Sequence, residues 1–394
     1  MNLALLIAIV SLIIWLTLLL SRAMYWRIST PIDDYTLVQN EGNFPSLTII
    51  IPARNEADML PLCLPSLLSQ SYQGSYNILL IDDHSDDETV PTAREIVAQH
   101  DASHRVTLIK GRPRPLGWKG KVNAMQTGLD YIALQQDQAV QNPPTYILFT
   151  DADIAYENDM VSRIVAKAES GDFVLTSLMV KLRCKSLAER TLVPAFVYFF
   201  KLLYPFNWAN TPSHPLAAAA GGSMLVRYDA LMRAGGLAPI ADALIDDCAL
   251  GRLMKQQDKI FLALTEKVRS VRPYHRLSDI AAMVSRTAYD QLHYNPLLLL
   301  GTCIGLMITY IAPVTLLFTT SGAAQLLAVF AYVLMSLSFY PINRFYNRPA
   351  FAMLSLPAIA ICYLGFTLNS AWQYYRGHGG MWKGRAQATR IHAQ

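Results

Sequence analysis

Charge is scarce in this chain. Only 16% of its 394 residues are Asp, Glu, Lys or Arg, against roughly 25% in an average soluble domain, and the shortage points toward a membrane before any segment is read. No surplus of one sign stands in its place. A net charge of +4 is what a solvated surface carries, and it gives no footprint for a nucleic-acid partner. Paired cysteines are missing as well. Cys63, Cys184, Cys248, Cys303 and Cys362 stand singly, with no CxxC. Such a set argues against a disulfide framework or a structural zinc site and reads as small buried hydrophobes. The GxxxxGK[ST] phosphate loop is also absent.

What the chain has instead is long apolar runs at both ends. Leu3 to Leu20 carries no charge and reaches about 27 Å as a helix, close to the hydrocarbon core of about 30 Å. A cleaved leader wants basic residues before such a run and small ones after it. Here Arg22 and Arg27 follow, with Trp15, Tyr25 and Trp26 as interface anchors. That order predicts a retained anchor whose C-terminal side is cytoplasmic. Three further runs, 296–318, 323–340 and 350–372, are each about long enough to cross, with Pro313, Pro341 and Pro357 able to kink or end them. Their number creates a conflict. One anchor plus three crossings puts the tail outside, yet that tail carries Arg376, Lys383, Arg385 and Arg390, which favour the cytoplasm. One run would then re-enter or lie in the interface, and the sequence does not say which. A further run, Leu192 to Trp208, reads equally as an interfacial element or as an internal helix of the central domain.

Between these ends the pattern is α/β. Apolar, β-rich runs at 47–51, 77–81, 106–109, 146–149 and 173–177 predict strands, and 59–69 and 89–99 read as helices. Such alternation predicts a mostly parallel sheet with helices on its faces and a ligand site beyond the carboxyl ends of the strands.

Polar clusters fall at those ends. Pro52 ends the first strand before Ala53-Arg54-Asn55-Glu56, an exposed turn that can line a pocket. Asp82 and Asp83 close the second strand, where Asp83 can accept hydrogen bonds from a base or ribose, while Ser85 or Asp86 caps the helix from Thr89. Lys119 and Lys121, at the start of a helix after Gly117, can serve a diphosphate or simply be solvated. Asp151 and Asp153 follow an apolar strand with one residue between them. Two carboxylates so placed can hold Mg2+ or Mn2+ carrying a diphosphate; as a bare motif they are equally two turn residues. Asp246 and Asp247 follow the Gly221-Gly222-Ser223-Met224 loop. A carboxylate there can deprotonate an acceptor hydroxyl, with Asp246 also an N-cap for the helix 249–255.

In this order, over about residues 46 to 260, the clusters resemble the family 2 glycosyltransferases of GT-A fold. Gly117-Trp118-x-Gly-Lys121, Asp246-Asp247-Cys248-Ala249-Leu250, the run from Met283 to Leu292 and the tail Trp382-Lys383-Gly384-Arg385 are similar to the hopene-associated subgroup, which accompanies hopanoid biosynthesis in bacteria. The resemblance implies an α/β, Rossmann-like GT-A domain over 46–290. An anchor at 1–27, a membrane region at 295–375 and a basic tail at 376–394 would flank it. It implies roles too: Pro52, Ala53 and Glu56 line the nucleotide pocket, Asp83 contacts the base, and Lys121 lies on the diphosphate side. Asp151 sits near ribose and metal, Asp153 holds the metal, Asp247 is the base with Asp246 beside it, and the loop at Gly222 frames donor and acceptor.

The activity so implied is inverting transfer of a sugar from a nucleotide-diphosphate donor to a membrane lipid, a hopanoid or another polyisoprenoid, at the bacterial inner membrane with the catalytic domain cytoplasmic. The Q/RxxRW motif of processive relatives is missing, and no tryptophan lies between Trp208 and Trp372, which favours one added sugar over a polymer. Two other classes stay open: a membrane-bound nucleotidyl or phosphoryl transferase acting on a lipid phosphate, which would release diphosphate in place of a nucleoside diphosphate, and a nucleotide-binding scaffold without turnover. Nothing in the sequence fixes the oligomeric state.

Overall fold

A computed structural model describes residues 2–35, 44–138 and 142–380; the tail motif Trp382-Lys383-Gly384-Arg385 lies outside the described residues. The chain forms two compact units. Unit 1 takes residues 1–28, 184–207 and 274–394, and unit 2 takes 29–183 and 208–273.

Unit 2 is built on one eight-stranded sheet. In chain order its strands are β1 (Leu47–Ala53), β2 (Tyr76–Asp82), β3 (Val106–Lys110), β4 (Tyr146–Thr150), β5 (Ile154–Tyr156), β6 (Leu175–Lys181), β7 (Ser223–Arg227) and β8 (Ile260–Ser270). In space they lie β3-β2-β1-β4-β7-β6-β8-β5. The helices are α2 (Leu60–Leu68), α3 (Thr89–Gln99), α4 (Gly120–Asp137), α5 (Met160–Gly171), α8 (Tyr228–Arg233) and α9 (Asp246–Lys255), with the short α7 (Phe206–Asn210) at a junction between the units. Alternation within β1 explains why both faces of the sheet are covered. Ile49 and Ile51 pack with Leu60, Leu64 and Ala93, while Ile50 packs with Val122, Met125 and Leu129. Period-2 side chains that are apolar on both sides demand helices above and below.

The sheet is mixed, where the sequence suggests mostly parallel strands. β3, β2, β1 and β4 are parallel, but β7 runs antiparallel to both β4 and β6, and β5 is antiparallel to β8. The reason lies at Gly221-Gly222: the segment that reads as a loop becomes strand from Ser223 onward and slots between β4 and β6. Nor does Pro52 end β1, which continues to Ala53 opposite Asp82. Pairing with β4 stops at Ile50, and the Asp83 N–H donates to Ala53 O. Alternation then turns Pro52 away from β2, toward the side where β1 has become an edge and no N–H is required.

Unit 1 is helical. It holds α1 (Leu3–Ser21), α6 (Leu187–Leu203), α10 (Leu277–Ser285), α11 (Pro296–Leu306), α12 (Ala312–Thr319), α13 (Ala323–Phe345) and α14 (Leu356–Tyr375). Four stretches, Leu3–Ser21, Pro296–Thr319, Ala323–Phe345 and Ala350–Tyr375, are long and apolar enough to cross a membrane. The prolines do not end these helices. Pro341 lies inside α13 and Pro357 in the first turn of α14. Pro313 follows a π-helical turn, Met307–Ile311, that joins α11 to α12. Its missing N–H would have bonded Thr309 O; the Trp15 indole N–H donates there at 2.8 Å. Apolar surroundings require such a replacement donor. α6 packs within this unit, Tyr198 against Phe339 and Tyr363 Oη on Leu192 O, so it is not an internal helix of the sheet domain.

Candidate active site

Six strand ends and helix starts bring the predicted residues of unit 2 into two linked clusters. The first is centred on Lys121, in the first turn of α4, whose Nζ lies 2.8 Å from Asp151 Oδ1 and 3.2 Å from Asp246 Oδ2. Asp247 completes it: Oδ2 accepts the Gly221 N–H at 2.9 Å and Oδ1 the N–H of Cys248 at 2.7 Å. A Cβ at Gly221 would lie 3.2 Å from Lys121 Nζ and 3.3 Å from Asp247 Oδ2, tight contacts that these side chains would have to shift to relieve. Asp246 opens α9 but makes no side-chain cap bond, and Ile245 is the N-cap residue. The capping expectation for Asp246 therefore fails, because the lysine ammonium holds its carboxylate.

Burial and neighbouring charge shift Asp247, Asp151 and Lys121. Burial pushes the Asp247 carboxyl up to about 6; Asp246 adds to the rise, while Lys121 and the two backbone N–H groups oppose it. Asp151 is raised as well, by burial first, against the pull of Lys121. Burial works against the charge on Lys121, but Asp151 and Asp246 outweigh it and hold the ammonium above the ordinary lysine range. Asp151 still keeps 35% of its side chain exposed, so the cluster is open to a ligand.

The second cluster is centred on Arg272, which sequence reasoning missed. Its Nε donates to Asp153 Oδ2 at 2.9 Å, and its Nη2 reaches both oxygens of Glu56 at 2.8 and 2.7 Å. Ser270 Oγ donates to the same Asp153 oxygen at 3.0 Å. Arg272 follows the end of β8 with no local motif around it. The alternating pattern of 260–270 was the only signal that a strand delivers it there.

Asp153 thus has Oδ2 engaged and Oδ1 left for a further ligand. Among the described residues no three His, Cys, Asp or Glu side chains converge as a ready metal cage. Asp151 and Asp153 nevertheless fit a hard divalent ion. Carboxylates outnumber cations here, and such ions are commonly held by one or two carboxylates, with phosphate oxygens and water completing the shell.

Of the residues expected on the nucleotide side, Glu56 belongs to the Arg272 cluster. Pro52 and Ala53 close β1. Asp83 is 1% exposed, and its carbonyl accepts from Arg54 Nη1 at 2.6 Å. Neither Ser85 nor Asp86 caps α3. Asp87 accepts the Thr89 N–H at 3.0 Å, while Ser85 Oγ accepts the Asn55 N–H and Asn55 Oδ1 the Asp86 N–H, tying the loops after β1 and β2 together. Gly222 lies just before β7 and accepts Thr150 Oγ1 at 2.9 Å. A cavity of about 170 Å³ lined by Thr48, Asn77, Thr107 and Arg105 lies at the amino ends of β1–β3, the opposite edge from the carboxylates.

An α/β sheet with crossover helices and acidic strand ends on one edge defines the GT-A, Rossmann-like class. Residues 48–233 match the family described as Glycosyl transferase family 2, so the chain carries a family 2 glycosyltransferase domain. A PGL/p-HBAD biosynthesis glycosyltransferase of Mycobacterium bovis is 28% identical over 141 residues, 35% of this chain and 48% of that protein. A 4,4'-diaponeurosporenoate glycosyltransferase of Staphylococcus haemolyticus is 32% identical over 114 residues, 29% of this chain and 26% of that protein. The chain thus spans about half, or less, of the length of these curated relatives. Among solved structures, the mannosyltransferase PcManGT from Pyrobaculum calidifontis, in complex with GDP-Man and Mn2+, superposes with a TM-score of 0.59 at 18% identity, covering 93% of this chain and 99% of that one. At that identity the likeness speaks for the fold alone.

Proposed function

We propose that the protein is an inverting glycosyltransferase that moves one sugar from a nucleotide-diphosphate donor to a hydroxyl of a membrane lipid, with Asp247 as general base. The observation that carries this reading is the state of Asp247: a carboxylate fixed by two backbone N–H groups, pushed up to about 6, within the same cluster as Lys121 and Asp151. A base of that strength is matched to a reaction near neutral pH. The Asp247 carboxylate takes the acceptor proton, and the freed oxygen attacks the anomeric carbon. The bond from that carbon to the diphosphate breaks on the opposite face, and the nucleoside diphosphate leaves.

Lys121 serves this departure with a positive charge at a helix start. Asp151 and Asp153 would hold Mg2+ or Mn2+, which as a Lewis acid offsets charge on the leaving group. Asp83, with Pro52, Ala53 and Glu56, would form the base and ribose side. Gly222 would border donor and acceptor, and Asp246 keeps Lys121 in register with Asp247. A lipid acceptor is supported by the four apolar helices and by relatives named for PGL/p-HBAD biosynthesis and 4,4'-diaponeurosporenoate. A hopanoid is the finer candidate suggested by the flanking motifs, and a cytoplasmic domain at a bacterial inner membrane by the basic residues after α1.

The test is turnover with lipid extract and a panel of nucleotide sugars, read as nucleoside diphosphate release and as a new glycolipid by mass spectrometry. Asp247→Asn should lower turnover about 10²–10⁴-fold. Full activity in a folded Asp247→Asn variant would sink the assignment, as would release of inorganic diphosphate as the product.

A further inference from the structure

The conflict between three C-terminal crossings and a basic tail has an answer inside unit 1. α1 and α13 run in the same direction. Ala8 packs with Ala328, near the start of α13, and with Leu316, near the end of α12. Tyr25, just past α1, meets Ser338 in the second half of α13 through the hydroxyl of Tyr198, at 2.8 and 2.7 Å. Trp15 packs edge-on against Tyr310 at 5.4 Å, so α11 and α12 run against α1. One end of the bundle therefore holds the start of α1, the end of α12 and the start of α13. The other holds the end of α1, the start of α11 and the end of α13.

α14 finishes at that second end. The Tyr289 N–H donates to Ser370 Oγ at 3.0 Å, the hydroxyls of Tyr289 and Tyr375 lie 3.0 Å apart, and Tyr294 stacks on Tyr374 at 4.4 Å. Tyr294 stands two residues before α11 begins. Two successive helices that finish at one end cannot both be crossings. Between them the chain climbs back along α13 as the 3-10 turn Ala350–Ser355, where Tyr332 Oη, in the first half of α13, donates to Leu354 O at 3.0 Å.

The charges follow the same division. Arg22 and Arg27 after α1, Arg286 before α11, Arg344 and Arg348 at the end of α13 and Arg376 after α14 all flank the second end. The first end is flanked by Asn2 and Thr320-Ser321-Gly322, with no charged side chain. We infer that unit 1 crosses the bilayer three times, that Ala350–Tyr375 enters and leaves through one leaflet, and that the basic end is the surface that meets anionic lipid headgroups. The residues after Tyr375 then stay on the side where α1 ends. That side agrees with the preference of basic segments such as the tail sequence, with Lys383, Arg385 and Arg390, for an anionic cytoplasmic leaflet. Residues 29–183 continue from the end of α1 and, where described, hold no helix fit to cross, so Glu95 falls on that side.

Single cysteines test this in the full chain with Cys184, Cys303 and Cys362 replaced by serine. Glu95→Cys, Ser321→Cys and His378→Cys, all at exposed positions, are treated with a membrane-impermeant maleimide in intact and in permeabilised cells. Ser321→Cys should label in intact cells, and Glu95→Cys and His378→Cys only after permeabilisation. His378→Cys labelling together with Ser321→Cys would overturn the inference, because α14 would then be a crossing. Should the cysteine replacements prevent folding, a fluorescent protein fused after Gln394 of the unaltered chain gives the second reading. Cytoplasmic fluorescence supports the inference, and an active alkaline phosphatase fused at the same point overturns it. Neither readout needs sugar transfer, so this result stands or falls apart from the proposed activity.

Discussion

The carboxylates on the two halves of the sheet edge are held in different ways. On the parallel half, Asp82 and Asp87 accept local backbone and hydroxyl donors, such as the Ser85 N–H on Asp82 Oδ1 and Thr89 on Asp87, while the largely exposed Asp86 pairs with Arg54 at 3.2 Å. On the mixed half, Asp151, Asp153 and Asp246 are held by the side chains of Lys121 and Arg272. Backbone donors are fixed by the fold and cannot leave. An ammonium or a guanidinium on a flexible stem can shift when a phosphate or a metal arrives. In the function proposed above, the parallel half would shape a pocket and the mixed half would supply charge that changes partners.

The largest effect should come from Asp247. Asp247→Asn should lower turnover about 10²–10⁴-fold, and its melting temperature should gain on that of the unaltered protein as pH rises through 6. The sign follows from linkage. A carboxyl raised from its ordinary value to about 6 binds its proton more tightly folded than unfolded. Its contribution to stability is full at acid pH and is lost as pH rises through 6. Above that pH the variant escapes the penalty. A melting-temperature difference that does not change with pH would contradict the burial argument. As the proposed base, the same group should set an acid limb of kcat/KM near pH 6, which Asp247→Asn should remove from the residual rate.

Lys121→Met should come next. It leaves three carboxylates without their ammonium and costs on the order of 3 kcal/mol of stability. Asp246→Asn added to Lys121→Met should recover part of that loss. Strict additivity in denaturant melts would mean the two side chains do not couple.

Arg272→Gln acts on the second cluster. Freed of its guanidinium, Asp153 should bind Mn2+ several-fold more tightly, read by electron paramagnetic resonance without donor or acceptor. Weaker binding would mean that Arg272 organises the site for the ion and does not compete with it. Smallest is the parallel half: Asp87→Asn should cost about 1 kcal/mol and leave turnover within twofold. A large loss of activity there would erase the contrast between the halves.

The first four strands were legible because each is a short apolar run closed by a polar cluster, and α3 was read to its ends at Thr89 and Gln99. β7 and β8 were not. Ser223–Arg227 follows two glycines, and Ile260–Ser270 carries Glu266, Lys267 and Arg269 in its second half. Local propensity cannot tell such a strand from a loop until its neighbours are in place. Arg272 was invisible for the same reason. It is brought to Asp153 and Glu56 across separations of 119 and 216 residues.

By itself the sequence determined that apolar helices flank an α/β domain and that acidic pairs sit where strands end, because hydrophobic period and residue type are local properties. Only the tertiary structure decided which cation each carboxylate meets, that β7 turns the sheet mixed, and that α14 returns to the end it came from. Those depend on contacts between residues far apart in the chain, whose energies no local pattern encodes.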